Sequence, residues 1–243
     1  MKKNIHCFAA FAALVIFSLT ACKKNYIIGG TSEDANKYKN MTTYQVVSSV
    51  PGFDTLMQLI NAANLENEIN EQGGTFFAPT NSSIYNYLVM RSLYVQANYN
   101  ANAIFGLDSL LYYVTNNING TADSLKMYMI HQSLPYAALT STGVQYATDL
   151  TGDSAIVSYE PIASNSANAS TLGSNPLVSS APQIVYFTQL WASYPLGPAN
   201  PASAVPANIG VHTRCITSGV TTSTGILNTL ETDHVLFFYG TNP

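Results

Sequence analysis

Thr75-Phe76-Phe77-Ala78-Pro79-Thr80-Asn81-Ser82-Ser83-Ile84-Tyr85 is the stretch from which the fold is read. Thr75 to Ala78 makes a short apolar strand. Pro79 stops it, because proline has no N–H to give to a ladder. Thr80 or Asn81 then offers a helix N-cap, and Ile84, Tyr87 and Leu88 give the apolar stripe of a helix over about 81–96. By itself the run fits either a generic strand–turn–helix or a family motif.

Outward from this run, Phe53, Leu56, Met57, Leu59, Ile60 and Ala63 fall at helical spacing behind Pro51-Gly52. Leu65 to Asn70 is a short second helical turn, ended by Gly73-Gly74. Asp108 is placed to cap a helix carrying Leu110, Leu111 and Val114. Thr121 is placed to cap one carrying Leu125, Tyr128 and Met129. From residue 140 the pattern turns to strands: Val144–Thr148, Ala155–Tyr159, Ile184–Leu190, Val211–Thr217, Gly225–Leu230 and His234–Tyr239. Helices first and strands later predict an α+β fold.

The TFFAPTN run closely resembles the first signature motif of the fasciclin-like domain, T-x-F-A-P-T-N. Three other stretches resemble that family in order. Phe53 to Leu65 is similar to its opening helix. Leu125 to His131 is similar to its central Tyr-His region, with His131 in the place of the family histidine. Ser218 to Glu231 is similar to its second conserved segment, with Thr224 for the usual Asn and Asn228 for the usual His. The resemblance covers about residues 44–240 and implies a β-wedge with packed helices and a role in binding and adhesion rather than chemistry. Under it, Thr75, Phe77, Ala78, Pro79, Thr80, Asn81, His131 and Asn228 are structural motif positions, and His131 mainly helps to hold the core.

The N-terminus reads as an export signal. Lys2 and Lys3 precede an apolar segment, Cys7 to Leu19, that is too short for an ordinary membrane span. Leu19-Thr20-Ala21-Cys22 resembles a bacterial lipobox, which makes 1–21 the signal peptide and Cys22 the lipidated first residue. Residues 22–40 then tether the anchor to one domain, 41–243, with insertions near 97–106 and 160–208. The resemblance to lipoproteins with no acidic residue beside the cysteine implies the outer membrane, with the facing leaflet left open. Cys215 is the one thiol left for the mature chain, so it has no intramolecular disulfide partner and reads as a small buried hydrophobe.

Only 9% of residues are charged. Beyond Asn40 the basic residues are Arg91, Lys126 and Arg214, against eleven Asp and Glu. That balance lacks the footprint of a nucleic-acid binder. No phosphate loop, zinc helix or paired-cysteine motif occurs, and His131, His212 and His234 are isolated in sequence, so no metal, cofactor or enzymatic role is expected. Asp149 and Asp153 faintly suggest a calcium loop but fit a hairpin turn better. Trp191 and Tyr194, beside prolines in the second insertion, are the candidate contact residues. The expected function is adhesion, or protein or glycan binding, by an envelope lipoprotein. Two alternatives stay open: a glycan-binding accessory of a nutrient-uptake system, and a purely structural envelope protein.

Overall fold

The computed structural model describes residues 37–161 and 183–241. The signal, Cys22, most of the tether and residues 162–182 of the second insertion lie outside the described residues.

The described part opens with helices α1 (Thr43–Ser49), α2 (Asp54–Ala62) and α3 (Glu66–Ile69). Strand β1 (Gly74–Ala78) and helix α4 (Asn81–Asn98) follow, as the signature run predicts. Thr80, not Asn81, is the cap: its hydroxyl accepts from the Ser83 N–H, and the Ser83 hydroxyl accepts from the Thr80 N–H. Asn81 reaches back instead. Its Oδ1 accepts from the Thr55 N–H at 2.9 Å and its Nδ2 donates to the Pro51 carbonyl at 3.1 Å. The motif thereby satisfies orphan groups at the starts of two helices.

Helices α5 (Leu107–Thr115) and α6 (Thr121–Ser124) differ from expectation at their starts. Gly106 occupies the cap of α5 and Asp108 lies within its first turn. Thr121 opens α6 without capping it; the Oδ1 of Asn117 accepts the Ala122 N–H at 3.0 Å instead. A tight 3-10 turn, Leu125–Tyr128, follows, so Met129 belongs to strand β2 (Met129–Ile130) rather than to a helix.

Five more strands complete the sheet: β3 (Val144–Ala147), β4 (Ser154–Pro161), β5 (Gln183–Leu190), β6 (Gly210–Thr221) and β7 (Gly225–Leu230). Their order is β2-β1-β7-β6-β5-β4-β3, parallel only between β1 and β7. The predicted α+β class holds. The segment His234–Tyr239 is not a strand. Phe237 and Phe238 have φ of 61° and 52°, and a 3-10 turn occupies Leu236–Phe238. Burial of Leu236 and Phe238 overrides the strand-forming composition.

The sheet folds over on itself at β6. Gly210 to Arg214 pair with β5, whereas Cys215 to Thr221 pair with β7, through two register shifts. Bulges bend a strand and sharpen its twist. The consequence is visible in the core. Phe77 on β1 and Phe187 on β5 are three strands apart, which in a flat sheet is about 14 Å, yet their ring centroids lie 4.7 Å apart. Two arms closing on such a pair form a wedge, and both rings are fully buried.

Helix α1 is tied to the β6–β7 turn by a buried cluster of three threonines. The Thr43 hydroxyl lies 2.9 Å from that of Thr222 and 3.0 Å from that of Thr224, which also accepts the Thr43 N–H. Among the described residues no helix is long and apolar enough to cross a membrane.

Candidate functional site

The signature residues act as joints. Thr75 Oγ1 donates to the Gln132 carbonyl at 2.7 Å and accepts the Leu134 N–H at 3.0 Å, fixing the chain after β2. Phe77 and Ala78 are fully buried. Asn228, opposite Phe77 in the β1–β7 register, accepts the Gly219 N–H at 2.8 Å and so stabilises the irregular part of β6. Cys215 is buried, and burial raises its thiol pKa well above the ordinary range.

His131 departs from its expected role. Its side chain is 63% exposed and its Nε2 pairs with Glu71 Oε1 at 2.5 Å. The core histidine is His234, 6% exposed and hydrogen-bonded to Tyr128. His212 is not isolated either. Its Nδ1 lies 2.6 Å from Thr188 Oγ1 and its Nε2 lies 2.9 Å from Glu160 Oε1. A hydroxyl, an imidazole and a carboxylate in that order have the form of a nucleophilic triad. Thr188 is wholly buried between β4 and β6, however, and His212 stacks flat on Tyr186 at 4.2 Å. The chain of bonds therefore ties three strands together and presents no nucleophile. Burial, opposed by Glu160, lowers the His212 pKa.

Trp191 lies at a different place, in the wall of a cleft of about 520 Å³. It is half-buried, packs on the main core, and donates its backbone N–H to the Ile209 carbonyl. Tyr194 does not join it. Its ring packs on a small cluster of Ile156, Leu190 and Ala202, and its hydroxyl donates to the Pro201 carbonyl at 3.1 Å. The described end of the second insertion is thus a folded cover, and Tyr194 is one of its fastenings.

The cleft brings together groups far apart in sequence. Met127, Phe237 and Phe238 supply apolar surface, and Gln145, Asp153 and Gln189 supply polar groups beside Trp191. Gln189 Nε2 donates to Asp153 Oδ1, and Thr148 Oγ1 donates to Asp153 Oδ2. Gln145 Nε2 donates to Ser154 Oγ at 2.8 Å. Burial raises the Asp153 pKa, opposed by the hydrogen bonds from Thr148, Gln189 and the Ser154 N–H. Two of the residues lining the cleft keep an unanswered polar atom: Gln189 Oε1, an acceptor, and Trp191 Nε1, a donor, are buried without a partner among the described residues. Orphans of this kind are rare and call for an explanation. The strained pair Phe237–Phe238 lies at the same cleft, and left-handed backbone in bulky residues tends to gather at sites of function.

Sequence reasoning found Trp191 but none of its partners. It also missed the outer face of α4, where Tyr85, Val89 and Leu93 stand exposed at four-residue spacing. A helix apolar on both faces masks the usual amphipathic signal.

The profile of the Fasciclin domain family matches residues 51–181. A FAS1 domain pair from the insect cell adhesion molecule fasciclin I is similar in structure, with a TM-score of 0.40 and 14% identity. That match covers 76% of this chain and 44% of the other. No curated protein matches. With more than half its length inside the family profile, the chain belongs to the fasciclin domain family.

Proposed function

We propose that this protein is a non-catalytic lipoprotein of the bacterial outer membrane, anchored through Cys22, that mediates adhesion by holding glycans in the Trp191 cleft. The lipid restricts the domain to the envelope and the tether over 22–40 gives it reach. Several anchored copies on one polymer gain avidity. The observation that carries the reading is the pairing, in one cleft, of an indole with neutral amides and a carboxylate. A sugar ring has an apolar C–H face that packs on an indole and a rim of hydroxyls that needs both donors and acceptors. The cleft volume is within the usual range for small-ligand sites. Asp153 is the one charged residue among those lining it, which suits an uncharged polysaccharide.

The test is an array of polysaccharides and extracellular-matrix proteins probed with the full chain in detergent, with Trp191→Ala and Gln145→Ala alongside. Gln145 is exposed, so its replacement leaves the fold intact. Glycan signals lost in both variants support the proposal. Signals confined to matrix proteins and kept in both variants overturn it.

A further inference from the structure

We propose that Glu71, His131 and Asp149 bind one divalent transition-metal ion of the zinc type. One ligand atom from each lies within 4.8 Å of the other two. Imidazole nitrogen with two carboxylate oxygens is a donor set that zinc accepts. Bonds of about 2.1 Å in a tetrahedral site place ligand atoms about 3.4 Å apart.

The three residues come from different parts of the chain, and main-chain bonds hold them in place. Glu71 lies between α3 and β1, and its carbonyl accepts the Gly74 N–H at 3.1 Å. His131 follows directly on β2, where Ile130 pairs with Thr75. Asp149 opens the β3–β4 turn, and its N–H donates to the Met129 carbonyl at 2.9 Å. The backbone thus brings the donors together before any ion binds, which lowers the entropic cost of assembling a site.

A second observation points to a ligand here. Glu68 lines the same hollow as Glu71, His131 and Asp149, and its Oε2 is buried without a hydrogen-bond partner. Among the described residues, no hydrogen bond reaches the Asp149 carboxylate. Three carboxylates therefore gather around one imidazole, with Lys126 the nearby cation that interacts with Asp149. An exposed ion pair between His131 and Glu71 alone contributes about 0–1 kcal/mol and leaves Glu68 and Asp149 unanswered. A dication held by Glu71, His131 and Asp149 also offsets the charge of Glu68 in the same hollow. On binding, the ion takes the Nε2 lone pair and replaces the contact between His131 and Glu71.

Calorimetric titration of zinc chloride into the chelator-stripped full chain in detergent tests this, with His131→Gln, Asp149→Asn, His212→Gln and Cys22→Ser measured in parallel. The expected result is one saturable site, weakened at least tenfold in the first two variants and unchanged in the last two. The melting temperature should rise with zinc in the parent chain and not in His131→Gln. His131 is exposed, so the metal-free variant should melt with the parent. Two outcomes overturn the proposal: no saturable zinc site, or a site that survives both His131→Gln and Asp149→Asn. Zinc lost only in Cys22→Ser belongs to the N-terminal thiols and overturns it equally.

Discussion

The phenol of Tyr128 and the imidazole of His234 meet at 2.8 Å inside the core, and their roles are fixed by a third group. The Phe237 N–H donates to the Tyr128 oxygen at 2.7 Å, so the phenol's own proton is directed to His234 Nε2. Nε2 is then the acceptor, and the ring proton resides on Nδ1. Tyr128 stacks on Phe238 and His234 packs edge-on against both. Tyr128→Phe keeps that packing but strands the Phe237 N–H and the imidazole. The expected loss is about 1–3 kcal/mol of stability, read as a lower urea midpoint with an unchanged slope.

Acid should unfold the protein through its buried histidines. Burial lowers the His234 pKa to about 3, and burial also lowers that of His212. A base whose folded pKa lies below its unfolded value contributes stability that is fully present above about pH 6.5 and lost as pH falls below it. For His234 the cost is up to about 1.4 kcal/mol per pH unit in that window. Asp149, Asp153 and Glu231 act in the opposite sense, since burial raises their pKa values and the folded state holds their protons more tightly. Their effect flattens the decline near pH 4. Urea midpoints measured from pH 7.5 to 4 should fall steeply first and then level, and His234→Gln should lose much of the early slope. A midpoint that rises between pH 7 and 6 contradicts this reading.

The closure of the wedge should be measurable between residues that are not on neighbouring strands. Phe77→Ala opens a cavity at a wholly buried site and should cost about 3–5 kcal/mol. Phe187→Ala should cost a similar amount. A double-mutant cycle between them should return a coupling of about 0.5–1.5 kcal/mol. A coupling of zero would mean the two arms do not close on this pair.

Gly225 is where β7 begins, opposite Gly74. A Cβ there collides with the Gly74 carbonyl, which is backbone and has no rotamer to yield. Gly225→Ala should therefore separate the parallel β1–β7 pair, lowering the melting temperature and speeding amide exchange at Thr75 and Phe77 first. Gly52→Ala, which meets nothing, serves as the neutral comparison.

The parts of the fold legible in the sequence were those decided locally. Pro79, the Thr80 cap and the stripe beginning at Ile84 act within a few residues, so the β1–α4 unit was read almost to its ends. The same holds for β5 and β7, whose apolar runs were read to within a residue of their ends. His234–Tyr239 was misread because its strand-like composition yields to contacts with Tyr128, more than a hundred residues earlier. His131 was misplaced for the same reason: the histidine in the core is His234, and burial is a property of the assembled sheet. The candidate site was legible only as Trp191. Gln145, Asp153 and Gln189 reach it through strand pairing across β3, β4 and β5, and no spacing along the chain encodes that meeting.

The central claim is that the cleft beside Trp191 takes a glycan, and the protein carries one tryptophan with which to see it. The measurement is the emission of Trp191 in the full chain, titrated with oligosaccharides from any polysaccharide that scores on the array. A saturable shift in wavelength, weakened at least tenfold by Gln145→Ala, is the predicted result. Saturable glycan binding by calorimetry with no change in Trp191 emission would place the sugar elsewhere and contradict the account.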